Sequence, residues 1–74
     1  MKLGETKEGE SYYITKIYGS PQFQMHICSV GIVPGDKIEV VQNMKGYPVL
    51  LYQKSTLLAI SKKESDKIEV EVVV

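Results

Sequence analysis

The sequence predicts a mainly β domain, a small closed or half-closed barrel of about five short strands with one short helix between strands one and two. Three observations lead there. Short runs rich in Val, Ile, Leu and Tyr are separated by brief turns containing Gly, Asn, Ser or Lys. Two of them, around 36–42 and 68–72, alternate apolar with polar residues, the period of a strand with one buried face. A single segment, about residues 21–30, carries helical spacing, with Phe23, Ile27 and Val30 four and three apart. Closing the sheet would also remove the exposed edges that a chain rich in Val and Ile must manage.

Residues 1–9 read as a loosely held polar arm, with Leu3 the candidate anchor. The run Ser11–Tyr18 is strand one. Ile14 and Ile17 are three apart, so a bulge near Thr15-Lys16 is needed for both to face inward. Ser20 followed by Pro21 reads as a helix cap followed by proline at the first helical position. That helix is too short to stand alone and must be held by packing.

The stretch Val30-Gly31-Ile32-Val33-Pro34-Gly35-Asp36 fixes the corner that follows. Gly31 can end the helix in the left-handed conformation at little cost. Pro34 keeps Val33 out of the α region, and Pro34-Gly35 suits the centre of a turn. Val30 and Ile32 are expected to plug the corner into the core. Strand two, from about Asp36 to Gln42, puts Ile38 and Val40 on one face and Lys37, Glu39 and Val41 on the other. After the loop 43–46 come strand three at 48–53, a two-residue turn at Lys54-Ser55 and strand four at 56–60. Ser61–Lys67 reads as a polar turn, with room for one turn of 3₁₀ helix. Ile68, Val70 and Val72 mark strand five.

Composition narrows the function classes. The chain has 74 residues, 43% of them hydrophobic and 24% charged, which fits one folded domain near the lower size limit for a self-sufficient core. Nine lysines balance nine acidic residues, whereas a polyanion-binding protein carries a basic excess, so nucleic acid is disfavoured as the main partner. Cys28 is the only cysteine, which excludes an internal disulfide. No apolar run is long enough to span a membrane and no leader segment is evident, so a cytoplasmic location is expected.

Candidate reactive groups are sparse. Met25, His26 and Cys28 are metal-ligating types, but residues 26 and 28 point to different sides of a helix and only Met25 and Cys28 share a face. A structural zinc site takes four ligands, and this chain has one His and one Cys. No metal site or cofactor is therefore expected; Cys28 is read as a small buried side chain and His26 as exposed. Lys45-Gly46 lacks the glycine-rich loop that cradles phosphates. Cys28 and Ser29 have no evident base beside them, so no catalytic residues are assigned and the chain is not expected to be an enzyme.

Five pieces of the chain carry a family resemblance. They are Ile17-Tyr18-Gly19; Ser29-Val30-Gly31-Ile32-Val33-Pro34-Gly35; Gly46-Tyr47-Pro48-Val49; Leu57-Leu58-Ala59-Ile60-Ser61-Lys62-Lys63-Glu64; and Ile68-Glu69-Val70. In this order and spacing, over about residues 10–72, the chain resembles the FeoA family of ferrous-iron transport accessory proteins. The resemblance implies an SH3-like barrel, no catalysis, and support of the membrane transporter FeoB from the cytoplasmic side. Met25 and His26 stand where the family often has Arg or Lys, Cys28 takes one place of an apolar pair, and Ser65 replaces a common Ala. Similar SH3-like domains form the C-terminal part of iron- and manganese-dependent repressors. That makes a metal-linked regulatory module the alternative function, although the chain leaves no room for the helix-turn-helix of those repressors.

The pairing of strands three and four gives a candidate binding surface. A turn at Lys54-Ser55 pairs Gln53 with Thr56, Tyr52 with Leu57, Leu51 with Leu58 and Leu50 with Ala59. Val49, Leu51, Leu58 and Ile60 then form the core face, and Leu50, Tyr52, Leu57 and Ala59 share the outer face, which Val41 can extend. Contiguous apolar groups outside a small barrel mark an interface. The expected partner is FeoB or a second copy of the chain, unless the helix covers this face.

Overall fold

Five strands form where β-branched and aromatic residues run or alternate: β1 Ser11–Ile17, β2 Lys37–Gln42, β3 Val49–Gln53, β4 Thr56–Ile60 and β5 Ile68–Val72. The computed structural model describes residues 1–73. The strands make one antiparallel sheet in the order β4-β3-β2-β1-β5. The sheet is not closed: among the described residues β4 and β5 do not pair, and each ends the sheet as an edge. Residue pattern alone cannot decide closure, because closure depends on strand tilt and stagger.

The inward positions of all five strands meet in one core. Tyr12 and Ile14 from β1, Ile38 and Val40 from β2, Val49 and Leu51 from β3, Ile60 from β4, and Ile68 and Val70 from β5 are all buried. Leu3, Ile27 and Ile32 complete the cluster, with Ile17, Phe23 and Leu58 packed partly buried against it. Each Val, Leu or Ile placed there contributes roughly 1.5–3 kcal/mol relative to exposure. The bulge in β1 lies where the isoleucine spacing requires it. Ile14 pairs with Val70 and Lys16 with Glu69, leaving Thr15 as the extra residue.

α1 spans Pro21–Ser29, and the Ser20 hydroxyl accepts a hydrogen bond from the Phe23 N–H at 3.1 Å. Its end is a Schellman motif. The Gly31 N–H donates to the Cys28 carbonyl at 3.0 Å and the Ile32 N–H to the Ile27 carbonyl at 3.2 Å, with Gly31 at φ +106°. This loop changes which residue fills the corner. Ile32 is fully buried beside Ile27, whereas Val30, expected to plug the corner, is exposed because it caps the helix. Val33-Pro34-Gly35-Asp36 then makes a turn closed by the Asp36 N–H on the Val33 carbonyl at 3.2 Å, with Gly35 at φ +96°. The turn is fastened to β1. The Gly35 N–H donates to Ile14 O at 2.7 Å, and the Ile14 N–H donates to Asp36 O at 2.9 Å.

Two segments differ from the sequence reading. The polar turn after β4 contains a short α-helix, α2, Lys62–Ser65, in place of a 3₁₀ turn. Ser61 and Glu64 cap it reciprocally, with the Glu64 N–H on the Ser61 hydroxyl at 3.1 Å and the Ser61 N–H on the Glu64 carboxylate at 3.2 Å. The first nine residues, expected to be loosely held, are packed. Leu3 is fully buried, Lys2 bridges to Glu69, and the Val70 N–H donates to the Met1 carbonyl at 2.7 Å. The Asn43 side-chain amide donates to the Gly4 and Thr6 carbonyls at 3.0 and 2.7 Å, and its oxygen accepts from the Lys62 ammonium. Polar composition suggested a free arm, but long-range hydrogen bonds and one apolar anchor hold it.

Candidate docking face

The hairpin β3–β4 positions the candidate residues. Lys54 and Ser55 take φ values of +49° and +65°, the paired left-handed conformations of a type I′ turn. That turn matches the twist of the flanking strands. It sets the register Gln53–Thr56, Tyr52–Leu57, Leu51–Leu58, Leu50–Ala59 and Val49–Ile60. Leu51 and Val49 are fully buried and Ile60 is 3% exposed, so Leu50, Tyr52, Leu57 and Ala59 fall on the opposite face. Between β2 and β3 the register shifts, with Val40 opposite Leu51 and Gln42 opposite Leu50. The extra residue is Val41, which joins Leu50 on the outer face.

These five residues lie together and uncovered. Leu57 is 53%, Tyr52 46% and Val41 40% exposed; Ala59 is exposed and Leu50 half-buried. α1 does not cover them: it turns Ile27 into the core on the other side of the sheet and lays Phe23 against it. Beyond them the outer face is mostly charged or polar, with the exposed Tyr13 set among charged residues. Glu39 stands opposite Tyr52 and Ser11, Lys37 opposite Tyr13, and Tyr13 opposite Glu71. A shallow depression of about 270 Å³, lined by Ser11, Lys37, Glu39, Tyr52 and Lys54, marks the border. Sequence reasoning placed Lys37 and Glu39 outward but did not join them to Tyr52 as one surface; the β2–β3 register was the missing information.

The reactive side chains remain dispersed. Met25 is 72% exposed. Cys28 is exposed, which corrects the expectation of a buried thiol: the helix turns only Ile27 fully inward, and its neighbour faces solvent. His26 Nε2 lies 3.7 Å from a Glu64 carboxylate oxygen on α2. The Ser29 hydroxyl donates to the His26 carbonyl at 2.6 Å. Among the described residues, no three His, Cys, Asp or Glu side chains converge, and no helix is long and apolar enough to cross a membrane.

The comparisons with known proteins agree with this architecture. A family model described as "FeoA domain" matches residues 1–72. A Fe(2+) transport protein A of Methanocaldococcus jannaschii is 35% identical over 69 residues, covering 93% of this chain and 83% of that protein. In structure, the chain is similar to a crystallised iron uptake regulatory protein (FeoA), with a TM-score of 0.93 and 22% identity over 99% of this chain and 97% of that one. A manganese-dependent transcriptional repressor has the same fold over 41% of its length, at a TM-score of 0.87 and 16% identity. The mainly β, SH3-like architecture expected from the resemblance is thus the one seen. Matched by the family model over nearly its whole length, with a relative at 35% identity, the chain belongs to the FeoA family.

Proposed function

We propose that this chain is a small non-catalytic interaction module in ferrous-iron uptake, docking through the outer face of β3 and β4 onto the cytoplasmic side of a FeoB-type transporter. Family membership supports the iron-transport role. The observation that carries the docking role is the uncovered group of Tyr52, Leu57, Ala59, Leu50 and Val41. Burying such a group against a partner releases its hydration water, and an aromatic beside aliphatic side chains suits the centre of an interface. The polar border at Lys37, Glu39 and Lys54 would set orientation and exclude wrong partners.

Capture of purified FeoB cytoplasmic domains tests the reading. Leu50→Asp with Leu57→Asp should weaken binding by at least about 2 kcal/mol, roughly thirtyfold in Kd, while circular dichroism shows the fold retained. A folded double variant that binds as wild type would refute docking through this face. The fold shared with the manganese-dependent repressor favours one second reading, a metal-linked regulatory module. Ferrous iron or zinc raising the melting temperature in a concentration-dependent way would support it.

A further inference from the structure

The β4 edge carries information that the docking role does not use. In a two-residue hairpin the residues flanking the turn form a hydrogen-bonded pair. Gln53–Thr56 is that pair here, and Leu51–Leu58 and Val49–Ile60 repeat it. The N–H and C=O groups of Leu57 and Ala59 therefore point away from β3, out of the sheet. Among the described residues no other segment pairs with β4, and none of its backbone groups bonds outside the hairpin. The strand reads Thr-Leu-Leu-Ala-Ile, without charge, proline or bulge, so it lacks the usual devices that keep an edge from pairing.

We propose that β4 seats a second copy of this chain, the two strands joined antiparallel about a two-fold axis at Leu58. The register follows from hydrogen-bond parity. With Leu58 opposite its own copy, Leu57 faces Ala59 of the second copy and Ala59 faces its Leu57. Both are hydrogen-bonded pairs, so every outward N–H and C=O of the two residues is satisfied. A shift by one residue breaks that parity, and a shift by two leaves groups unpaired. Side-chain size agrees, since the large Leu57 lies beside the small Ala59. The outer face then becomes one apolar row, Tyr52–Leu57–Ala59–Leu50, crossing from one copy into the next. Charge agrees as well: pairing uncharged β4 with itself brings no like charges into the five-residue window, which is what an isologous contact needs. The inference stands independently of the transporter reading.

Sedimentation equilibrium over a wide concentration range tests it. The wild type should approach twice the 8.3 kDa monomer. Ala59→Pro removes one outward N–H, keeps the β3 ladder and leaves Tyr52, Leu57 and Leu50 in place. It should weaken self-association at least tenfold, a readout on the purified chain alone in which the transporter takes no part. A trap covers the case in which Ala59→Pro disturbs the fold. In a Cys28→Ser background, Leu58→Cys places two thiols in a non-hydrogen-bonded pair with Cα atoms about 4.5 Å apart, within disulfide reach. Oxidation should cross-link it efficiently, and Thr56→Cys at least tenfold less. A wild type that stays monomeric, an unchanged association in folded Ala59→Pro, or equal cross-linking at positions 56 and 58 would each overturn the proposal.

Discussion

β5, at one edge of the sheet, has the N-terminal arm hydrogen-bonded along it; β4, at the other edge, has no such segment among the described residues. The Met1 ammonium donates to Val70 O at 3.0 Å, the Val70 N–H returns a bond to Met1 O at 2.7 Å, and Lys2 bridges to Glu69. Glu69 and Glu71 add outward charge between the buried Ile68 and Val70, and the Met1 ammonium lies 3.5 Å from the Glu69 carboxylate. Both strands are short and end the sheet, so both needed protection. One received a covering segment and two acids; the other kept free backbone groups beside an uncovered apolar face. The contrast teaches that an open small sheet can be sealed on one side and left competent to pair on the other.

The largest break in that contrast is removal of the seal. Leu3 is fully buried and anchors the arm. Leu3→Ala should cost about 2–5 kcal/mol from lost transfer energy and the residual cavity. Urea denaturation measures this, and amide exchange at Val70 should accelerate as its partner Met1 O withdraws. A loss below about 1 kcal/mol would show that the hydrogen bonds hold the arm without its apolar anchor.

Much of this architecture could be read from the residues, for local reasons. Ser20-Pro21 and Gly31 bound α1, Pro34-Gly35 makes the turn, and the spacing of Ile14 and Ile17 demands the bulge at Thr15. The outer-face residues followed from one assumption, a two-residue turn at Lys54-Ser55, because a strand's side chains alternate strictly once register is set. The features that escaped are long-range. The seal on β5 depends on Asn43 and Glu69, far from the arm in sequence. Periodicity puts Val30 in the core and residue type puts Cys28 there, but the Schellman loop moves the apolar seat to Ile32, and the helix leaves Cys28 in solvent. The α2 capping box, Ser61-Lys62-Lys63-Glu64, is a helix-start signature whose polar composition also suits a turn.

A gentler perturbation sharpens the bare edge. Lys54 and Ser55 hold left-handed conformations that asparagine and glycine adopt more readily. Lys54→Asn with Ser55→Gly should stabilise the protein by about 1 kcal/mol, seen as a rise of roughly 4–8 °C in Tm. The gain belongs to the β3–β4 hairpin, so amides at Thr56 and Leu58, which face β3, should exchange more slowly. The amides of Leu57 and Ala59, which face outward, should change less in dilute monomer. Equal slowing at all four positions would mean that the edge is already covered.

The smallest expected effect decides what the outer face is. Leu57 is 53% exposed and its cross-strand neighbour Tyr52 46%. A charge on a side chain that is already half in water gives up little buried area, and surface substitutions of this kind stay within about 0.5 kcal/mol. Leu57→Asp should therefore leave the urea midpoint of the dilute protein nearly unchanged. Leu51→Asp, one position along β3 on the fully buried face, should unfold it, because a carboxylate would be desolvated without a partner. If Leu57→Asp instead costs several kcal/mol, the row of Tyr52, Leu57, Ala59 and Leu50 is part of what holds the monomer together. The apparent asymmetry between sealed and bare edges would then be one of packing, with no surface held ready for a partner.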